Sequence, residues 1–442
     1  MALDSGTVKW KIMMVCVLSG CYPYSSFDLI DTSIANVYKA IAELKELGFI
    51  SISDQGKIKA IKKQKVKEKS KDVDNSKMYR LLKQLNGKGI ISLSDVEFRK
   101  LKGLMNETDL SENKIIKPRM FDKLKLNYLE LFDGLENYKL NHIGNHVKDV
   151  ERRLRISEIL MMMIEAGVNI SPDKKPFMNG LLYPELNKTL LPYFMTSLEV
   201  RSVMEINEDK GKGARFHGTL VSSGGIYNVY NMGETMMDWV RPSEYAASEF
   251  INRYSKRIMP EFCVNKGWYQ ESAIVLSRRY DYITEFVNGN IHKKNGSGSS
   301  KNLVNINEYY KHTFYLPLSI EGQVMINMMT LNKWHYYLVG LFYPRENTEM
   351  VTPQVEMSIA CDAIKDGCYS LVFMDGDIGR LKRFASIDVK DEDYGKYKVI
   401  CYTFQEPHVK KVLPPGMEVV SYDFAIVTEK FYEVYDKYEM EK

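Results

Sequence analysis

The sequence predicts a multidomain α+β protein, with an N-terminal winged helix-turn-helix, a helical region and a C-terminal α/β mixed-sheet domain. Three observations predict it. First, the helical stretch Ser33–Leu47 runs through Gly48 into the alternation Phe49-Ile50-Ser51-Ile52-Ser53, then Asp54-Gln55-Gly56 and Lys57-Ile58-Lys59-Ala60-Ile61. A helix followed at once by a short ribbon with a basic second strand is the order of a winged helix. Second, from Leu191 onward strand patterns alternate with helical ones, as in an α/β layer domain. Third, 442 residues exceed what one core organises, so two or three domains are expected. The expected boundaries are 1–63 for the winged helix and 64–140 for a basic linker with a small helical region, followed by 141–442 for the mixed-sheet domain.

In the N-terminal module, Trp10, Met13, Met14, Val17 and Leu18 recur at helical spacing and predict a first helix from Thr7 to Ser19. Phe27, Leu29 and Ile30 belong to a short second helix, and Asp31-Thr32-Ser33 offers capping oxygens for a third. There Ile34, Val37, Ile41, Leu44 and Leu47 form an apolar stripe, while Ser33, Asn36, Lys39 and Glu43 take the other side. Such a helix can enter a major groove, with Asn36 at a base edge and Lys39 at a phosphate. Lys57, Lys59, Lys62 and Lys63 fall on or beyond the wing, beside the backbone. The same pattern serves protein contacts and dimerisation, so a homodimer remains open.

Charge supports the location of this interface rather than its existence. The net charge is only +4, but eight lysines stand against the single acid Glu68 between Lys57 and Lys71. A field of that kind attracts phosphate locally. The segment Val37–Ser53 aligns without gaps on Met78–Ser94, which suggests a second helix-strand unit. Phe98, Leu101, Leu104 and Met105 share one side of a small helical region beyond it.

Leu140–Gly167 reads as a long helix stopped by Gly167, and its apolar run Ile159–Ile164 is too short to cross a bilayer. A hairpin follows at Phe216–Val221, Ser222-Ser223-Gly224-Gly225 and Ile226–Asn231, where Gly224-Gly225 is expected to supply positive φ. Glu244–Tyr254 reads as helix with Tyr245, Phe250 and Tyr254 inward, and Ala273–Leu276 as an extended run followed by Tyr282–Phe286. A Gly/Ser-rich tip, Asn295–Ser300, looks disordered. Strands are expected at Tyr315–Leu318, Tyr336–Phe342, Ser370–Met374, Lys398–Phe404 and Met417–Val420. Met357–Ala363, a short basic helix Ile378–Phe384 and Lys430–Tyr438 are expected helices, with Phe424–Val427 extended or buried.

Chemistry is sparsely signalled. No phosphate-binding glycine loop, dinucleotide fingerprint or nucleophile elbow occurs. His142 and His146 have a zinc-compatible spacing but lack further ligands nearby. Asp375 and Asp377 are the candidate acids for a magnesium-dependent nuclease, although Lys398–Phe404 carries no acid-x-lysine element and a turn capping a helix at Ile378 would use the same residues. The six cysteines lack paired spacing and no signal segment precedes them, which predicts a cytoplasmic protein with thiols as core filler. Neither a cofactor nor membrane insertion is expected. Tyrosine-rich groups such as Tyr227–Tyr230, Tyr309-Tyr310 and His335–Tyr337 could stack on unpaired bases or pack beside a sheet.

The arrangement resembles the replication-relaxation proteins of Gram-positive plasmids and integrative conjugative elements. The passages that carry the likeness are Ser33–Ile52, Glu165-Ala166-Gly167-Val168, Gly224–Gly233 and Asp377–Phe384. The resemblance implies a restriction-endonuclease-like C-terminal domain, of a kind that often lacks the catalytic residues, and an accessory role in which double-stranded DNA is bound and a relaxase or replication initiator assisted. Two alternatives stand beside it, a divalent-metal-dependent DNA nuclease and a transcription regulator whose large domain senses a ligand.

Overall fold

Thr7 opens the fold: its hydroxyl accepts from the Trp10 amide and starts helix α1 (Val8–Ser19), as the spacing predicts. The computed structural model describes residues 6–54, 114–118, 147–171, 191–197, 199–200, 214–235, 237, 239–258, 269–288, 303–304, 306–344, 349–350, 360–388 and 391–440. The chain divides into two compact units, Met1–Phe132 with Lys139–Glu158, and Asp133–Tyr138 with Ile159–Lys442.

In the first unit α1 stops at Gly20, whose φ of 87° lets its amide return to the Cys16 carbonyl. Strand β1 (Tyr22–Pro23), a 3-10 turn (Tyr24–Leu29), helix α2 (Ile34–Glu46) and strand β2 (Ile50–Asp54) follow. The third strand, β3 (Lys114–Pro118), lies between the other two, antiparallel to both. Ile116 pairs with Tyr22 on one side and Ile52 on the other. Ile115 and Ile116 are thereby buried together with Val37, Ile41 and Leu44 of α2. Each such side chain contributes about 1.5–3 kcal/mol on leaving water.

The sequence places the partner of β2 in the residues just after it, whereas the strand seen beside β2 arrives from far along the chain. Lys57, Lys59, Lys62 and Lys63 lie outside the described residues, as do the repeated helix-strand segment, His142, His146 and the tip Asn295–Ser300.

Helix α3 (Val147–Glu165) begins in the first unit and ends in the second. Its early part is held by Arg153 Nη1, which donates to the Ser19 carbonyl at 3.1 Å, and by Glu158, which accepts from Ser26 Oγ at 2.6 Å. The apolar run Ile159–Met163 is fully buried. Among the described residues no helix is long and apolar enough to cross a membrane.

The second unit is α+β and contains two five-stranded mixed sheets. The first runs in chain order through β4 (Tyr193–Thr196), β5 (Gly218–Val221), β6 (Gly225–Gly233), β7 (Tyr269–Ser277) and β8 (His312–Pro317), with helices α4 (Arg241–Ile258) and α5 (Ile283–Asn288) between the later strands. Its first three strands are antiparallel neighbours, and its last three are parallel. After helices α6 (Ile320–Thr330) and α7 (Trp334–Gly340) the second sheet repeats this plan. Its strands are β9 (Glu349–Met350), β10 (Ala363–Lys365), β11 (Cys368–Val372), β12 (Tyr397–Tyr402) and β13 (Glu418–Tyr422), again antiparallel then parallel. Helix α8 (Ile378–Ala385) follows its third strand, α9 (Glu406–Val409) its fourth, and α10 (Phe424–Met440) closes the unit.

The sheets meet where β8 passes the loop before α8: the Tyr315 amide donates to the Gly376 carbonyl at 2.8 Å, and Phe314 bridges Asp377. Tyr315, Val275 and Ile226 from the first sheet share one core with Leu371, Phe373 and Val399 from the second.

Several expectations are corrected. Tyr336–Phe342 is not a strand, because Trp334, Tyr337 and Leu338 fall on one face of α7 and are buried there. Their aromatic and branched composition favours a strand only locally, and packing overrides it. Residues 360–362 are not helical and Ala363 begins β10, while Tyr282–Phe286 falls in a 3-10 turn and α5. Phe424–Val427 forms the first turn of α10, with Ile426 exposed and Val427 buried. Tyr245 points outward, 59% exposed. Gly224 and Gly225 have no positive φ: a Cβ on Gly224 would stand 2.1 Å from the Met329 carbonyl oxygen, so close packing requires glycine there.

Candidate functional site

In the first unit, of the sequence-predicted interface residues, Ser33 lies at the cap of α2 and Asn36 and Lys39 along it, while Lys57, Lys59, Lys62 and Lys63 lie outside the described residues. Ser33 caps α2, its hydroxyl accepting from the Asn36 amide at 3.3 Å, and Asn36 Nδ2 donates to Thr32 Oγ1 at 3.3 Å. Ser33, Asn36 and Lys39 are all exposed, whereas Val37, Ala40, Ile41 and Leu44 are buried on the opposite face. Amphipathic spacing produces this division, since residues three and four apart share a side. Lys9 Nζ sits 2.9 Å from Glu43 Oε2, and this hydrogen-bonded contact holds the Glu43 carboxyl below the usual carboxylate range. Lys39 is left as an exposed cation beside it.

In the second unit the structure gathers an ionic cluster that sequence alone does not reveal. Arg380, in the first turn of α8, donates from Nη1 to Asp375 Oδ2 at 3.0 Å and from Nη2 to Asp362 Oδ2. Asp362 also accepts from the Val372 amide at 2.7 Å. His335 of α7 lies between the same two acids, with Nε2 3.0 Å from Asp362 Oδ1. Its Nδ1 is 3.3 Å from Asp375 Oδ2, an electrostatic contact rather than an aligned hydrogen bond. The two carboxylates therefore face one guanidinium and one histidine ring, and Arg380 Nη1 itself lies 3.3 Å from His335 Nε2.

Burial decides how strongly these groups depend on one another. Burial would raise the Asp362 pKa, yet Arg380 and His335 outweigh it and hold the carboxyl down at about 2. Burial likewise works against a charged His335, but the adjacent Asp362 and Asp375 carboxylates raise its pKa above the usual value. Burial also disfavours the charged Arg380, and Asp362 and Asp375 more than restore it. The Tyr269 hydroxyl, at the start of β7, is buried beside these charges and its pKa is pushed up mainly by burial.

Asp377 serves the helix cap that its sequence position allows. Its Oδ1 accepts from the Gly379 and Arg380 amides at 3.0 and 3.3 Å, and Oδ2 lies 2.7 Å from His312 Nδ1. Burial pushes its pKa up, but His312 and Arg380 hold it below the usual range. Asp375 Oδ1 accepts from the Asp377 amide at 3.0 Å. Both candidate acids are thus engaged with protein side chains and backbone amides. Among the described residues no group of three or more His, Cys, Asp or Glu side chains is arranged to hold a metal ion.

A restriction-type centre would place one acid near a strand start and an acid with a lysine on the next strand. Asp362 directly precedes β10, but the next strand, Cys368-Tyr369-Ser370-Leu371-Val372, supplies neither. Arg380 belongs to the expected short basic helix and is 2% exposed. Its spacing one turn after Asp377 and five residues after Asp375 is the available signal; the contributions of His335 and Asp362 arise only from folding. The tyrosines considered for base stacking mostly pack internally, Tyr227, Tyr230, Tyr310 and Tyr337 being buried. Cys16, Cys21, Cys361 and Cys401 are buried and Cys368 is half-buried.

No family model, curated protein or solved structure matches the chain.

Proposed function

We propose that the chain is a DNA-binding accessory protein of a mobile genetic element, which reads duplex DNA through α2 and assists a relaxase or replication initiator. The observation that carries the DNA-binding part is the joint exposure of Ser33, Asn36 and Lys39 on the outer face of a helix whose inner face is locked in a core. The order α1, β1, 3-10 turn, α2, β2, β3, with β3 central in the sheet, supports a winged helix-turn-helix. The short side chains Ser33 and Asn36 near the start of α2 suit close approach to base edges. The accessory role comes from the family resemblance.

Band shifts of the full chain with origin-region duplexes of such an element test this function. Binding should be tight, weaken steeply with salt, and fall when Asn36 and Lys39 are both changed to alanine. Equal binding by that double variant would remove α2 from the interface.

The two mixed sheets support a restriction-endonuclease-like fold for the second unit, and the pairing of Asp375 and Asp377 with Arg380 and His312 favours structural roles for these acids. Magnesium- or manganese-dependent cleavage of supercoiled or single-stranded DNA that disappears in Asp377→Ala, with folding retained, would instead establish a nuclease.

A further inference from the structure

The outward side of α2 is itself divided, with an apolar strip beside a polar one. Ile34 and Tyr38, one turn apart, are 58% and 43% exposed, and the small Ala35 and Ala42 are exposed next to them. Asn36 and Lys39 border this strip. We propose that Ile34, Ala35, Tyr38 and Ala42 recognise the 5-methyl groups of thymine in the major groove, so that the preferred duplex contains A·T pairs at the contacted positions. The inference rests on the DNA-binding function above and adds its base preference.

Three observations favour this occupant. Apolar side chains distinguish thymine by its methyl, and an asparagine amide matches the adenine edge, so Asn36 and the apolar strip select the two bases of the same kind of pair. Ala35 and Ala42 project little, leaving Ile34 and Tyr38 to reach a groove floor. Tyr38 is held in place by an edge contact with Phe27 at 5.6 Å and by Tyr24 at 6.2 Å, which limits the freedom lost on binding. Lys39 is exposed beside the strip, while the neighbouring Glu43 charge is engaged by Lys9 at 2.9 Å, so this face complements a phosphate-lined groove. A second copy of the chain is the other candidate, but a stable dimer uses roughly 20–30 residues on each side, and this strip offers two large apolar side chains.

The test uses the full chain and randomised duplexes. Sequences retained by the protein are synthesised once with thymine and once with uracil, which lacks the methyl, and their affinities are compared by band shift at one salt concentration. The expected result is about four-fold weaker binding for each contacted thymine replaced. That difference should shrink in Ile34→Ala, whose exposed position leaves the core intact. Binding that is equal for thymine and uracil duplexes overturns the methyl preference and leaves DNA binding standing. If no duplex is retained, while sedimentation shows self-association abolished by Ile34→Ala, the strip belongs to a subunit contact and both proposals fall.

Discussion

Arg380 Nη1 lies 3.0 Å from Asp375 Oδ2, with both residues buried, so the charge of each is answered inside the protein rather than by water. Removing the guanidinium leaves Asp362 and Asp375 facing His335 alone. Arg380→Met should lower the unfolding free energy of the second unit by about 3–5 kcal/mol. Urea titration of the full chain, followed by tryptophan fluorescence, measures the loss. An unchanged midpoint would show that the cluster is dispensable.

The same cluster makes stability depend on pH from both sides. The His335 pKa is raised on folding, so its contribution is complete below the unfolded value of about 6.5 and is lost as pH rises through the folded value. The Asp362 pKa is lowered to about 2, so its contribution is present above the unfolded value near 4 and is lost as pH falls toward the folded one. Thermal scans should therefore find this cluster most stabilising between roughly pH 4 and 6.5. His335→Gln should flatten the decline on the alkaline side, whatever its effect on absolute stability.

Ser33 and Lys39 should separate stability from recognition. Ser33→Ala removes the cap of α2 and should cost about 1 kcal/mol in unfolding experiments. Lys39→Ala, at an exposed position, should change stability by no more than about 0.5 kcal/mol. In DNA titrations it should reduce the slope of log affinity against log salt by about 1, the signature of one lost phosphate contact.

Two glycines isolate backbone strain from crowding. Gly376 and Gly367 have φ of 72° and 74°, but a Cβ on Gly376 would stand 2.5 Å from the Tyr315 carbonyl oxygen, whereas nothing lies within 4 Å at Gly367. Gly367→Ala should cost about 1 kcal/mol from conformation alone. Gly376→Ala should cost more, because the junction between the two sheets must shift. Equal denaturation midpoints for the two variants would contradict the close approach.

The sequence made the local elements visible where side-chain period and caps agree. Ser33 and the apolar stripe identify α2, although of that stripe Val37, Ile41 and Leu44 are buried while Ile34 and Leu47 at its ends are exposed, and Gly167 marks the end of the helical turn after α3 with φ of 74°. It could not identify β3 as the partner of β2, since strand pairing leaves no local trace and Lys114–Pro118 resembles any short basic apolar run. Trp334–Gly340 misleads for a related reason: aromatic and branched residues fit a strand or a buried helix, and only tertiary packing chooses. Asp375 and Asp377 stand out in the sequence as candidate acids and Arg380 only as part of a basic helix, so the ionic cluster itself is not legible there. His335 and Asp362 join it through the placement of α7 and β10, which no spacing rule encodes.

The central position of β3 has a consequence during synthesis. Residues up to Asp54 can form helices soon after leaving the ribosome, but their sheet lacks its middle strand until Lys114–Pro118 emerges. Because β2 and β3 are far apart in sequence, their pairing must wait for the later strand. A nascent chain halted before Lys114 therefore exposes two strand edges that the finished protein covers, and termination within this interval should yield a product prone to association.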